Sequence, residues 1–119
     1  MRDRLLATLL LTLPSMVAMV PAVEHSGRTI DVTLSRAAMV PGEIALHRGE
    51  RVRLHLTSAD GSHACRSGGV GFDAQIPAAA AVTVDVTPAQ PGMFPIDCFD
   101  DGDAAHVRAR GRFVVNSER

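Results

Sequence analysis

The feature that most restricts this chain is an alternation of apolar side chains at every second position, repeated several times and interrupted by Gly and Pro. From Arg51 to Leu56, Val52, Leu54 and Leu56 alternate with Arg51, Arg53 and His55. A strand turns successive side chains to opposite faces, so this run has one apolar and one charged face. Just upstream, Ile44 and Leu46 alternate in the same way, and Arg48-Gly49-Glu50 separates the two runs as a turn. The pair predicts a half-buried hairpin. Ile30, Val32 and Leu34 repeat the pattern, as do Val82, Val84 and Val86. Pro91-Gly92 is a turn signal ahead of Met93 to Cys98, and Gly111 to Val115 reads as a closing strand. Beyond the first two dozen residues no segment has a useful helical period. The expectation is an all-β domain of short strands, a sandwich or barrel. The polar, Gly-rich stretch from Ser58 to Gly71 is expected to be a surface loop, where sites tend to be built.

A chain of 119 residues with 46% hydrophobic residues has material for one domain and one core. Its net charge of −1 offers no electrostatic basis for binding nucleic acid or an anionic membrane. The beginning of the chain is different in kind. Arg2 and Arg4 precede an apolar run from Leu5 to Val20, and Val20-Pro21-Ala22 has the small-residue spacing of a cleavage site. The run contains Pro14 and falls short of the ~20 residues that span a bilayer, which favours removal over anchoring. Residues 1–22 are therefore expected to be a signal peptide, with the mature chain starting near Val23. Residues 23–38 would form an N-terminal segment and first strand, and 39–119 the main domain, with 23–119 folding as one unit. The expectation is a periplasmic or secreted protein with no membrane anchor after cleavage. Its two cysteines, Cys65 and Cys98, would meet an oxidising compartment.

Five histidines are candidates for chemistry. His25 stands at the start of the presumed mature chain. His47 and His55 fall on the outward side of their runs, where a solvated histidine is the ordinary reading. His63 follows a strand end, and His106 follows Cys98 in an acidic, Gly-containing stretch. Asp97, Asp100, Asp101 and Asp103 could form an acidic rim, but Arg108, Arg110 and Arg112 follow on one strand face and would partly cancel it. A hydrolase is disfavoured: Ser62 and His63 are neighbours on extended backbone, and no Gly-x-Ser-x-Gly elbow exists. "RSGGVGF" lacks the lysine and following helix of a phosphate loop.

From Met39 to Val115 the chain resembles a cupredoxin domain, nearest in pattern to the copper-carrying domain of cytochrome c oxidase subunit II and its small exported relatives. "SADGSH", Ser58 to His63, has the spacing of the family's Ser-x-Asp-x-x-His. Pro91-Gly92 stands where a Pro-Gly pair precedes the strand to the cysteine. The family's Cys-x3-Cys-x3-His-x2-Met cluster is met, to the residue, by Cys98, Gly102, His106 and Ala109, followed by Gly111 and "RFVV". The resemblance implies a Greek-key β-sandwich or barrel that binds copper and is not itself an enzyme. It also shows departures. Gly102 and Ala109 cannot ligate, so the family's binuclear centre cannot be built from this loop. By position His63, Cys98 and His106 remain, and two imidazoles with one thiolate suit a blue-copper electron-transfer site. Met93 is a conceivable axial substitute, although methionine is more often a core filler.

Cys65 leaves three readings open. It could bridge to Cys98, the base-rate expectation for two cysteines in an exported protein. Such a bridge would stabilise the fold by about 3 kcal/mol and would consume the thiolate. It could be a buried inert thiol beside an intact mononuclear site. Or it could replace the lost second cysteine in space, giving two Cys and two His to Cu(I), Zn or a rebuilt copper centre. The leading expectation is a small exported protein binding one copper ion for electron transfer or copper handling, with a redox or copper-trafficking protein as partner. The alternative is a metal-free structural or interaction module with a Cys65–Cys98 disulfide.

Overall fold

The computed structural model describes residues 27–118; the expected signal peptide and His25 lie outside the described residues. Nine strands and no helix occur among the described residues. They are β1 (Thr29–Leu34), β2 (Met39–Val40), β3 (Glu43–His47), β4 (Val52–Ser58), β5 (His63–Ser67), β6 (Phe72–Ile76), β7 (Val82–Val86), β8 (Gly92–Asp100) and β9 (Val107–Asn116). Two sheets form, one in the order β2-β1-β4-β7 and the other β3-β9-β8-β5-β6. The pairs β1/β4 and β3/β9 are parallel and the other pairs antiparallel. The architecture is an all-β sandwich of two sheets, as the alternating pattern led us to expect.

The core lies between the sheets and is made of the inward members of each alternation. Val32 and Leu34 of β1 and Val52, Leu54 and Leu56 of β4 meet Leu46 of β3, Ile96 of β8 and Phe113 of β9, all essentially inaccessible to water. Each large aliphatic or aromatic side chain so buried contributes roughly 1.5–3 kcal/mol. Phe72 packs edge-on to Phe113 with ring centroids 5.6 Å apart. The outward members stay wet, as with Arg53 and His55 on β4 and Arg108, Arg110 and Arg112 on β9.

Two expectations are corrected. Ile44–Leu46 and Val52–Leu56 do not form a hairpin. β3 pairs with β9 in one sheet, and β4 pairs with β1 and β7 in the other. The turn at Gly49 (φ 80°) carries the chain across the core, so the two apolar faces meet face to face rather than side by side. The stretch from Ser58 to Gly71 is not simply a surface loop. Its middle, His63 to Ser67, is β5, hydrogen-bonded between β6 and β8. His63, Cys65 and Ser67 point inward and are buried. Their polar or small side chains carry no hydropathic signal for a central strand.

The topology gives the sandwich two distinct ends. At one, Leu34 lies beside Ser58, and His63 lies between Ile76 and Asp100. The connections at 35–38, 59–62, 77–81 and 101–106 emerge there. At the other end Thr29 lies beside Arg53, Arg48 N–H donates to Asn116 O, and Gly49 N–H donates to Pro88 O.

Candidate functional site

The chemistry-bearing residues collect where β5 and β8 run side by side. Their register sets Cys65 directly opposite Cys98 and His63 opposite Asp100. Cys65 and Cys98 both face inward, are 2% and 1% exposed, and are joined by a disulfide with Cα atoms 4.0 Å apart. Both cysteines of the chain are consumed by this bond. Of the readings left open for Cys65, the disulfide is the one present. On the other side of Cys98 stands Ala109 of β9, also buried. Just past the cysteine, between Cys98 and Phe99, a register shift in the β8/β9 ladder re-aims the end of β8.

His63 sits one inward position beyond Cys65 and is 2% exposed. Its Nε2 donates to Asp60 Oδ1 at 2.7 Å, and its Nδ1 is turned to Asp100 Oδ1 at 3.6 Å. Arg36, from the turn after β1, closes a charged ring over this end. Its backbone N–H donates to Asp60 Oδ2 at 2.9 Å and its Nε to Asp100 Oδ2 at 3.1 Å. Arg108 Nε adds a second cation to Asp100 at 3.3 Å. The Arg36 amide, and after it His63, hold the Asp60 carboxyl below the usual carboxylate range. Ser58 Oγ, hydrogen-bonded to Gly61 O, and Gly61 itself (φ 113°) shape the turn that delivers Asp60 to His63.

The remaining expected ligands lie elsewhere. His106 is in the 101–106 connection with its side chain 70% exposed, and its Nδ1 meets Asp103 Oδ1 at 3.0 Å. Met93 is near the beginning of β8, opposite Val114, with 59% exposure, and Arg112 Nη1 lies 3.7 Å from its sulfur. Five residue steps of extended strand lead from Met93 to Cys98, on the order of 16 Å. Gly102 adopts φ 85°, a conformation that side-chain-bearing residues rarely hold. Among the described residues no three His, Cys, Asp or Glu side chains gather as a metal-holding group. Arginines partly cancel the acidic run: Arg110 meets Asp97 at 3.4 Å, Arg36 and Arg108 meet Asp100, and Arg108 lies 3.8 Å from Asp103, whereas Arg112 turns to Glu43 instead. Asp60 was visible only as a spacing element of the motif. The role of Arg36 had no signal in the sequence.

A family model described as a cupredoxin-like domain matches residues 5–115. The chain belongs to the cupredoxin-like family. Solved cupredoxin domains share its fold. The periplasmic domain of cytochrome oxidase subunit II of Bradyrhizobium japonicum is 18% identical, with 83% of this chain and 88% of that one covered and a TM-score of 0.63. A mixed disulfide intermediate between a thioredoxin-like protein and subunit II of cytochrome c oxidase matches at 16% identity, 82% and 87% coverage and a TM-score of 0.64. Auracyanin A, a blue copper protein of Chloroflexus aurantiacus, matches at 16% identity, 76% and 100% coverage and a TM-score of 0.59. No curated protein matches the sequence.

Cupredoxin copper is held through a thiolate and imidazole nitrogens with open lone pairs. The arrangement described here does not fit that ion. The Cys98 sulfur is bonded to Cys65, and His63 Nε2 is committed to Asp60. A thiolate at Cys98 exists only once the disulfide is opened.

Proposed function

We propose that this protein is an exported cupredoxin-like module that, while its Cys65–Cys98 bond is closed, works without copper by binding another protein. One observation carries this reading: the sulfur that a blue-copper centre needs is held in a buried covalent bond at the middle of the larger sheet. The bond takes over mechanically what a bound metal would do, tying β5 to β8 below the His63 end. Export is part of the proposal and rests on the expected signal peptide at 1–22. The partner expected is a redox or copper-trafficking protein of the same compartment, and no catalytic step is assigned to the chain.

The test is a thiol count on the protein isolated from a periplasm, alkylated without reduction and read by mass. Zero alkylated cysteines and no thiolate-to-copper absorption on adding Cu(II) are expected. Two alkylated cysteines in the freshly isolated protein would overturn the reading.

A second reading is favoured by the shared inward face of His63, Cys65 and Cys98. Opening the bond would return two thiolates next to one buried imidazole, a soft donor set suited to copper. In that reduced form the chain would bind one copper for electron transfer or copper handling, with His63, Cys98 and His106 as the ligand positions. The 101–106 connection would then have to fold His106 inward. One structural neighbour forms a mixed disulfide with a thioredoxin-like protein. A dithiol protein of that class would be a suitable reductant here, giving two protein thiols and an oxidised reductant. The reduced protein should then develop a thiolate-to-copper band with Cu(II) that is lost in Cys98→Ser and kept in Cys65→Ser. No band in any reduced sample would sink this second reading.

A further inference from the structure

The two sheets have four edge strands, β2 and β7 in one and β3 and β6 in the other. An uncovered edge offers a row of main-chain donors and acceptors to another strand. The chain itself closes two of these edges. β2 is two residues long and stops at Pro41. Along β3, Arg28 Nη2 donates to Ala45 O at 2.9 Å, His47 N–H donates to Glu50 Oε1 at 3.1 Å, and Glu50 N–H donates to His47 O at 3.0 Å. β6 and β7, joined by 77–81, run along the remaining corner. They differ in what they still have to bury. Phe72, Ala74 and Ile76 of β6 face inward and are all covered. In β7 only Val86 is covered; Val82 and Val84 belong to the same face but stay half-buried.

The ladder fixes which main-chain groups of β7 are free. Arg53 N–H donates to Arg28 O, on the β1 side of β4. Alternate residues of a strand turn their N–H and C=O to opposite neighbours, so Val52, Leu54 and Leu56 present theirs to β7. Opposite them stand Val86, Val84 and Val82. The N–H and C=O of Thr83 and Asp85 are thereby turned away from β4, to the side where β7 has no strand neighbour. Within the strand there is no lysine, no proline and no bulge to guard this edge. Its Val-Thr-Val-Asp-Val sequence is rich in the β-branched residues that suit a paired strand.

We propose that β7 is the surface through which two copies of this chain associate, their β7 strands pairing antiparallel about a two-fold axis at Val84. In that register Thr83 of one copy faces Asp85 of the other. These are the residues whose main-chain groups point outward, so each such pair exchanges both of its ladder bonds. Val84 meets Val84 at the close, non-hydrogen-bonded position, where the two half-buried side chains cover each other. No like charges face one another. Asp85 is the one charged side chain of β7, and its own copy holds it: Arg53 donates from Nε at 2.9 Å and Nη2 at 3.3 Å, and Arg51 from Nη2 at 3.4 Å. Moving the axis to Asp85 would set two carboxylates against each other, which charge disfavours. The contact is self-complementary and closes with two copies. β7 lies in the sheet that does not contain Cys65 and Cys98, so the pairing does not depend on the state of their bond.

The test is sedimentation velocity over a concentration series of the protein isolated from a periplasm with its disulfide closed, with amide exchange followed at both ends of the series. The expected result is a monomer–dimer equilibrium in which the Thr83 and Asp85 amides slow as dimer forms, while those of Asp73 and Gln75 on the β6 edge do not. Thr83→Pro removes a donor that only the second copy uses and should abolish the dimer. Thr83→Asp leaves every main-chain group in place but sets a carboxylate against Asp85 of the other copy, once on each side of the axis. It should weaken the dimer at least about fivefold. Thr83→Lys, set against the same carboxylate, should not. Circular dichroism checks that each variant is folded. A monomer at every concentration up to about 1 mM, a dimer that Thr83→Asp leaves unchanged, or slowing at Asp73 and Gln75 in place of Thr83 and Asp85 would each overturn the proposal.

Discussion

Asp60-Gly61-Ser62-His63 and Asp103-Ala104-Ala105-His106 are one local device in two surroundings. Each sets a carboxylate three residues before a histidine, and in each a ring nitrogen meets Asp Oδ1, at 2.7 Å and 3.0 Å. The exposures of the two histidine side chains are 2% and 70%. His63 opens a strand that lies between β6 and β8, so the sheet buries its ring and brings Asp100 to the other nitrogen. His106 closes a connection that no sheet covers. Short-range sequence makes the pair, and long-range pairing decides whether the pair is part of the core. Matching ligands by spacing treats the two histidines alike; the fold does not.

The largest expected effect follows from what lies beneath each pair. The His63 stretch is braced by Cys65–Cys98, and the His106 stretch has no such bond. Closing a loop with a sequence separation of 33 removes chain entropy from the unfolded state worth about 3–4 kcal/mol. Reduction, or the Cys65→Ser/Cys98→Ser double variant, should lower unfolding free energy in urea by that amount. Amide exchange should quicken along β5 and Asp60 to His63 more than across 101–106. A loss under about 0.5 kcal/mol, the range of an unremarkable surface change, would show that the bond does not brace this end.

How much of this was legible in the sequence depends on which property carries the signal. Alternation at Ile30–Leu34, Val52–Leu56 and Val82–Val86 correctly marks strands and their inward faces, because burial of one face is a hydropathic fact. It does not say which strand lies next to which, and so β3 and β4 read as a hairpin although they belong to different sheets. β5 was missed as a strand because its inward residues are His63, Cys65 and Ser67. His63 and Cys65 share a face because residues two apart on a strand point the same way. The bond to Cys98 stayed one alternative among three, because it depends on the β5/β8 register, which no local pattern encodes. Arg36 reaches Asp100 across 64 positions of chain, a contact created wholly by the topology.

The second effect separates the two histidines themselves. His63→Ala would take from the Asp60 and Asp100 carboxylates one of the two residues they share, leaving Arg36, and open a void beside the disulfide. Loss of a buried hydrogen-bonded polar group costs about 1–3 kcal/mol. His106→Ala removes an exposed ring and one exposed pair, and should fall within about 0.5 kcal/mol of the parent. Chemical denaturation of both variants in the disulfide form checks this. Equal effects would mean that the burial of His63 is not what distinguishes the pairs.

The smallest effect is in acid. The Asp60 carboxyl is held below its ordinary range first by the Arg36 amide and then by His63, and the Asp103 carboxyl first by His106. A carboxyl whose pKa is lower folded than unfolded gives stability that is present above the unfolded value. That stability disappears as pH falls through the folded value. Both pairs should therefore contribute fully near neutrality and fade below about pH 4, where carboxylates begin to take up protons. Asp60→Asn and Asp103→Asn should each flatten the acid side of the stability curve. Salt distinguishes them. Both partners of the Asp103 pair face water, so the Asp103→Asn difference should vanish in concentrated salt. Asp60 holds a buried ring and a backbone amide, and its difference should survive. Loss of both differences together in salt would place the two pairs in the same dielectric surroundings and erase the distinction drawn between His63 and His106.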